Sequence, residues 1–264
     1  MKTLGILGCG KLAQLVAKAI VDGILTDYNL ISAYSRNSEN TQAVADIINK
    51  GVPNGNCKVC NSTDELIEMR PDYIVESASP EALKDFALKA LSNGVSIITL
   101  SIGGLADDEF YKKVEKTARE NQTKVHLVSG AIGGFDVLRT ASLMYPSTVT
   151  FETEKGPNPL RNSSVYTESL QTEEKMVFEG NAREAIALFP KQVNVAVAAS
   201  LASVGPENTK VSITSKPGYV GDNHRITLKN EQIDAVIDIY SKTPEIAGWS
   251  VVNTLRNLSS PIVF

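Results

Sequence analysis

The feature that most constrains this chain stands at its start. Leu4 to Leu7 is an apolar run, and Gly8-Cys9-Gly10-Lys11-Leu12-Ala13 follows it directly. An amphipathic pattern through Leu12, Val16, Ala19 and Ile20 comes next. Strand, glycine turn and helix in that order open a dinucleotide-binding βαβ unit. Gly8 permits the tight turn, Gly10 lets the backbone approach a pyrophosphate, and Ala13 is small enough for close helix-strand packing. Lys11 and Leu12 begin the helix, whose free N–H groups and positive dipole end suit the phosphates.

The alternation continues through the first half. Apolar runs at Leu30 to Tyr34, Lys58-Val59, Tyr73 to Val75, Val95 to Leu100 and Val125 to Val128 predict strands. Helical patterns over Thr41 to Asn49, Asp64 to Glu68, Glu81 to Leu91 and from Asp107 or Asp108 to about Glu120 lie between them. Strands buried on both faces and joined by helices indicate a parallel sheet in an α/β domain of Rossmann type. Right-handed crossovers bring every helix start to the carboxyl edge of that sheet.

The second half alternates with period two, as half-exposed strands do, at Thr148 to Glu152, Glu174 to Glu179, Val211 to Thr214, Arg225 to Leu228 and Ala235 to Tyr240. Lys155 to Ser163 reads as a loop. Asn181 with Glu184 forms a helix-start pattern, and Val193 to Val204 a helix of small residues. A last helix is expected over Trp249 to Leu258. The second domain is therefore α+β with an open mixed or antiparallel sheet. The expected division is 1–128 for the dinucleotide domain, completed by about 241–264, and 129–240 for the substrate domain.

Composition narrows the partners. A net charge of -4 argues against a nucleic-acid binder, which needs a basic face. No apolar run reaches the roughly 18 residues of a membrane span, and MKTLGILGCGK reads as a first strand rather than a signal peptide. Cys57-Lys58-Val59-Cys60 has C-x-x-C spacing, yet no second pair follows and the chain holds only 2 histidines. Free thiols in the cytoplasm, with no metal, are the expectation.

Cofactor choice turns on the end of the second strand, Ala33-Tyr34-Ser35-Arg36-Asn37-Ser38. The carboxylate that usually holds the NAD ribose diol is absent there, and Ser35 and Arg36 suit a 2′-phosphate. NADP is favoured, with NAD the alternative; Glu39 is the nearby carboxylate that competes with this reading. Small residues after the fourth strand, around Ala78, and after the fifth, at Ser101-Ile102-Gly103-Gly104, allow the cofactor to cross the sheet edge. Ser129-Gly130-Ala131-Ile132-Gly133-Gly134 follows the sixth.

Of the two histidines, His126 lies inside an apolar strand and reads as structural, while His224 stands among polar groups where a loop enters a strand. Histidine is suited to moving one proton near neutral pH, so His224 is the acid-base candidate. Asn194 reads either as a helix cap or as an amide for the nicotinamide carboxamide. Lys155 and Arg225 are candidates for substrate carboxylates, although alternation turns Arg225 away from the face of His224.

GCGKLA, VESASPEAL, SIGGLAD, SGAIGGFD, TEKGPNPL, GNAREAIALFPKQVNVAVAASLA and GDNH, in this order over nearly the whole chain, resemble the L-aspartate dehydrogenase family. The resemblance implies NAD- or NADP-dependent oxidation of L-aspartate to iminoaspartate, or the reverse reductive amination with ammonia, feeding NAD biosynthesis in some members. It implies a homodimer supported by the open sheet. It also implies that Ala131 and Asn194 contact the nicotinamide end and that His224 is the active-site histidine. Two departures stand out: Gln192 replaces a usual Asn, and Ala247-Gly248-Trp249-Ser250 stands where a Lys-Thr-Ser element is expected ahead of the last helix. The second departure leaves room for a dehydrogenase or imine reductase of another small amino or keto acid. A dinucleotide-sensing protein without turnover is the reading from a different class.

Overall fold

The computed structural model describes residues 1–190 and 193–264. The chain forms two compact units, one of Met1–Gly104, Asp108–Val128 and Ala247–Phe264, the other of Leu105–Asp107 and Ser129–Ile246. In chain order, β1 (Lys2–Leu7), α1 (Lys11–Val21), β2 (Tyr28–Tyr34), α2 (Ser38–Gly51), β3 (Lys58–Val59) and α3 (Thr63–Glu68) come first. β4 (Tyr73–Glu76), α4 (Pro80–Ser92), β5 (Ser96–Thr99), α5 (Asp108–Glu120) and β6 (Val125–Leu127) follow. The second unit carries α6 (Phe135–Met144), β7 (Thr148–Lys155), β8 (Lys175–Asn181), α7 (Ala182–Leu188) and α8 (Asn194–Leu201). After these come β9 (Thr209–Ser215), β10 (Asp222–Lys229), β11 (Asp234–Ser241) and the final α9 (Glu245–Ser259).

In the first unit the sheet order is β3-β2-β1-β4-β5-β6, all neighbours parallel. The order reverses between β1 and β4, and open parallel sheets take ligands at the carboxyl ends of strands beside such a reversal. Leu4 and Ile6 of β1, Ile74 and Val75 of β4 and Ile97 and Ile98 of β5 are fully buried, as a sheet covered on both faces requires. Helix starts are set by local chemistry. The Asn37, Ser62 and Ser79 side chains accept from backbone N–H groups at the starts of α2, α3 and α4, and Pro80 opens α4. The α9 residues Val251, Val252 and Leu255 complete one core cluster with Ala13, Val16 and Ala17 of α1 and Val44, Ala45 and Ile48 of α2. Tyr28 Oη donates to the Leu255 carbonyl at 2.7 Å and so joins β2 to that helix.

The second unit has a five-stranded sheet in the order β11-β10-β7-β9-β8. β7 and β9 pair in parallel and the other neighbours are antiparallel, so the sheet is mixed. Period-two alternation encodes which face a residue takes and carries no strand direction, which is why the parallel pair was not legible. On one face Val149, Phe151, Val211, Ile213, Ile226 and Leu228 are buried. The other presents Glu152, Thr150, Ser212, Thr214, Arg225 and Thr227, half-buried or exposed.

Three boundaries differ from expectation. The small-residue helix is shorter, Asn194–Leu201. Lys155 closes β7 rather than opening a loop, because its pairing with Ser215 and Asp222 continues both ladders to that point. The last helix begins at Glu245, four residues before Trp249.

Candidate active site

The glycine turn does what its residues predict. Gly8 takes φ +90, and a Cβ there would lie 2.6 Å from the Ala78 backbone nitrogen, so only glycine fits. A Cβ on Gly10 would meet nothing within 4 Å, which leaves open space over the backbone. α1 starts at Gly10 with no side-chain cap, so its first N–H groups are presented outward. Around this turn lies a cavity of about 570 Å³, lined among others by Gly8, Gly10, Ser35, Arg36, Asn37 and Ala78. An uncapped helix start and a backbone free of side chains fit a dinucleotide diphosphate, and Arg36 is among the lining residues.

The structure brings five of the predicted cofactor residues to this cavity: Gly8, Gly10, Ser35, Arg36 and Ala78. Lys11 and Leu12 open α1 but stand off the lining, and the Leu12 side chain faces Gly248 of α9. Ser35 Oγ is turned inward, donating to the Asn37 carbonyl at 2.8 Å, so Arg36 is the exposed group at this end. Glu39 lines a separate hollow with Ser38 and Gln42 and is not among the residues lining the Arg36 cavity.

Glu76, at the end of β4, is the residue that sequence reading missed. It is fully buried. Its Oε1 accepts from the Ala78 and Ser79 N–H groups and from Ser101 Oγ, and its Oε2 accepts from Thr99 Oγ1 and the Ser101 N–H. Burial pushes the carboxyl above the usual carboxylate range, and the donors on Thr99, Ala78, Ser101 and Ser79 pull it back. Both oxygens receive backbone N–H groups, which is the arrangement of a carboxylate. Ser101 therefore spends its hydroxyl on Glu76 and does not line the cavity. Ser77 Oγ donates to the Gly8 carbonyl at 2.7 Å, so the loop after β4 is tied both to the glycine turn and to the loop after β5. An acidic residue closing an otherwise apolar strand was the available signal.

In the second unit, the buried face of the sheet turns polar toward one end. His224 of β10 is 3% exposed, and its Nδ1 lies 2.9 Å from Thr153 Oγ1 on the neighbouring β7. Its ring rests on Phe151, with centroids 5.7 Å apart. Lys155, also 3% exposed, shares this face, with Asp222 at 3.7 Å. Burial pushes His224 down to about 4, the Lys155 cation adds to that, and Asp222 opposes it. The imidazole is thus neutral at neutral pH and able to accept a proton. Burial likewise lowers Lys155 while Asp222 raises it.

The remaining residues sort by position. Arg225 lies on the opposite face and pairs with Asp238 at 2.9 Å, which leaves Lys155 as the cation beside His224. A Cβ on Gly130 would lie 3.2 Å from Val195, so the loop bearing Ala131 runs beside the start of α8 that bears Asn194. Asn194 is the first residue of that helix and Val193 is its cap, so the capping role falls to another residue. Gln192 lies outside the described residues. His126 packs edge-on against Tyr73, and burial lowers its pKa. Cys9, Cys57 and Cys60 are free and buried, and burial pushes the Cys57 thiol up to about 12, far from nucleophilic use. Among the described residues no cluster of His, Cys, Asp or Glu is arranged to hold a metal ion, and no helix is long and apolar enough to cross a membrane.

Comparison with known proteins decides the family. Residues 136–258 match the family described as aspartate dehydrogenase, C-terminal, and residues 8–128 match the homoserine dehydrogenase NAD-binding domain. An L-aspartate dehydrogenase of Methanococcus maripaludis is 35% identical over 273 residues, covering 99% of this chain and 98% of that protein. The chain belongs to the L-aspartate dehydrogenase family. A crystal structure of aspartate dehydrogenase from Thermotoga maritima matches with a TM-score of 0.77 and 29% identity, covering 100% of this chain and 99% of the other. A hyperthermophilic archaeal homoserine dehydrogenase shares the fold, with a TM-score of 0.60 at 13% identity. The first unit is thus an NAD(P)-binding domain of Rossmann type, and the chain is an NAD(P)-dependent dehydrogenase.

Membership in the L-aspartate dehydrogenase family also corrects one expected departure. Because α9 begins at Glu245, the residues ahead of it read Ser241-Lys242-Thr243-Pro244, so a lysine and a threonine do stand there. Ala247 to Ser250 lie inside the helix instead, with Gly248 against Leu12 and Leu15 of α1 and Ser250 Oγ donating to the Ala247 carbonyl.

Proposed function

We propose that this protein is an NADP-dependent L-aspartate dehydrogenase that converts L-aspartate to iminoaspartate, or runs in reverse with ammonia. The observation that carries the reading is the neutral, buried His224 held by Thr153 beside the Lys155 cation. The bound nicotinamide supplies the two-electron acceptor for the α-hydrogen. The chain's own groups manage the proton. The substrate ammonium must lose a proton before its lone pair can assist cleavage of the α-C–H bond. With Nδ1–H donating to Thr153 Oγ1, His224 Nε2 carries the free lone pair that takes that proton. Ala131 and Asn194, on a loop and a helix start that adjoin at Gly130 and Val195, are our choice for the nicotinamide end.

Arg36, exposed and lining a cavity that Glu39 does not line, supports NADP over NAD. Three free cysteines suit a reducing, cytoplasmic setting. A homodimer through the sheet follows the family resemblance, and Met176, Val236 and Tyr240, exposed on the uncovered face, supply apolar area for it.

The test is a matrix of NAD and NADP against L-aspartate and other small amino acids, with reverse assays using keto acids and ammonia. L-Aspartate with NADP should give the highest kcat/KM, and His224→Ala should lower kcat by about 10²–10⁴-fold. Turnover confined to another amino acid overturns the substrate assignment. Dinucleotide binding without turnover of any substrate favours a sensing role instead.

A further inference from the structure

The buried face of the second sheet carries one polar group that the proton chemistry does not use. Ser215, the last residue of β9, is 0% exposed, and among the described residues its Oγ has no hydrogen-bond partner. Buried hydroxyls are nearly always paired. Of the three described serines whose buried Oγ lacks a partner, Ser32, Ser142 and Ser215, it is Ser215 that stands on the face of His224 and Lys155, where an arriving ligand would supply one. Ser215 is the register partner of Lys155 across the parallel β7–β9 ladder, and both side chains lie on the buried face. Neighbouring strands stand about 4.8 Å apart, so the two side chains leave the sheet from adjacent positions on one face.

Resting on the amino-acid dehydrogenase reading above, we propose that Lys155 and Ser215 form the subsite for a carboxylate of the substrate. The Lys155 ammonium supplies the charge and Ser215 Oγ–H the second hydrogen bond. Asp222 lies 3.7 Å from Lys155 Nζ and has a side chain 38% exposed. A substrate carboxylate brought to hydrogen-bonding distance would share that ammonium with Asp222. Burial lowers the Lys155 pKa, and Asp222 opposes that shift by favouring the charged lysine. A cation beside a hydroxyl donor matches an anionic oxygen pair and offers nothing to an apolar side chain, so the subsite selects acids. Arg225, the other cation on this strand, faces the opposite side and is held by Asp238.

The experiment compares the parent, Lys155→Met and Ser215→Ala, each as the full chain loaded with NADP. It reads the KM for L-aspartate, the dissociation constant of succinate by calorimetry, and NADPH affinity by fluorescence quenching. Losing a charged hydrogen bond predicts a rise of about 10–100-fold in aspartate KM and succinate dissociation constant for Lys155→Met. Ser215→Ala should raise both by roughly 3–10-fold, the loss of one neutral hydrogen bond. NADPH affinity should hold within about 2-fold in both, since a carboxylate subsite makes no demand on the dinucleotide. Ser215→Ala also removes an unpaired group, so its denaturation midpoint should stay level or rise, and this variant decides the matter if Lys155→Met fails to fold. Unchanged aspartate KM and succinate affinity in the variants overturn the subsite and leave the dehydrogenase reading standing. A parent that turns over no aspartate but binds succinate, with that binding weakened to the stated extent in Ser215→Ala, upholds the subsite and overturns the substrate reading. A parent that binds no succinate and shows no aspartate saturation overturns both.

Discussion

Acidification from about pH 7.5 to about pH 5 should remove about 2 kcal/mol of stability through His224 alone. The folded protein holds this imidazole down at about 4, against an ordinary 6.5, chiefly because it is buried and next because Lys155 is near. The unfolded chain therefore binds the proton first as pH falls. The stability that His224 contributes is fully present above 6.5 and is lost progressively toward about 4. Each pKa unit corresponds to about 1.4 kcal/mol, so the whole loss approaches about 3.5 kcal/mol. Urea unfolding followed by far-UV circular dichroism, on the parent and on His224→Gln across this range, isolates the effect. His126 and the carboxylates titrate in both proteins and cancel in the difference. The gap between the two stabilities should narrow by about 2 kcal/mol on acidification. Lys155→Met, which removes the second cause of the shift, should narrow the window from its lower end. Parallel stability curves for parent and His224→Gln would refute the reasoning.

Gly8→Ala places a Cβ against the Ala78 backbone at φ +90 and should cost about 1–3 kcal/mol while abolishing NADPH quenching. Gly10→Ala meets open space in the free protein, so its stability should stay within about 0.5 kcal/mol of the parent while dinucleotide affinity falls. Arg36→Ala should weaken NADPH binding by about 10–100-fold and NADH binding by less than about 3-fold, measured by fluorescence titration. Glu76→Gln turns an amide toward the Ser101 N–H, or toward the Ala78 and Ser79 N–H groups if the side chain flips, and should lower stability by about 1–3 kcal/mol in denaturant titrations.

What the sequence made legible was local. The strand, glycine turn and helix at residues 4–20 announce themselves because a few adjacent residue types dictate backbone shape there. Arg36 is readable for the same reason, being counted from the end of a strand. Partners that depend on pairing were not. His224 and Lys155 were candidates by residue type and setting, and only the β7–β10 register sets Thr153 opposite His224 and Lys155 opposite Asp222. Ser215 carried no signal at all, since an isolated serine at a strand end says nothing of burial. Glu76 was passed over among small residues because its partners, Thr99 and Ser101, are more than twenty residues away. The last helix shows how a boundary becomes a functional claim. A start misplaced by four residues turned Lys242-Thr243 into a missing motif.

Glu76 and Ser215 are buried polar groups handled in opposite ways, and the difference suits a scaffold group on one side and a ligand-binding group on the other. Glu76 is surrounded by five donors, so its charge is compensated inside the protein and the two loops it joins are fixed before anything binds. Ser215 Oγ has no partner among the described residues. Leaving such a hydroxyl unpaired costs desolvation free energy that an apolar residue would not. The cost makes sense once a carboxylate supplies the partner. The two kinds of group then respond differently to perturbation. Removing acceptors from Glu76 weakens the protein whether or not a ligand is present, whereas removing the Ser215 hydroxyl is felt only when substrate is bound.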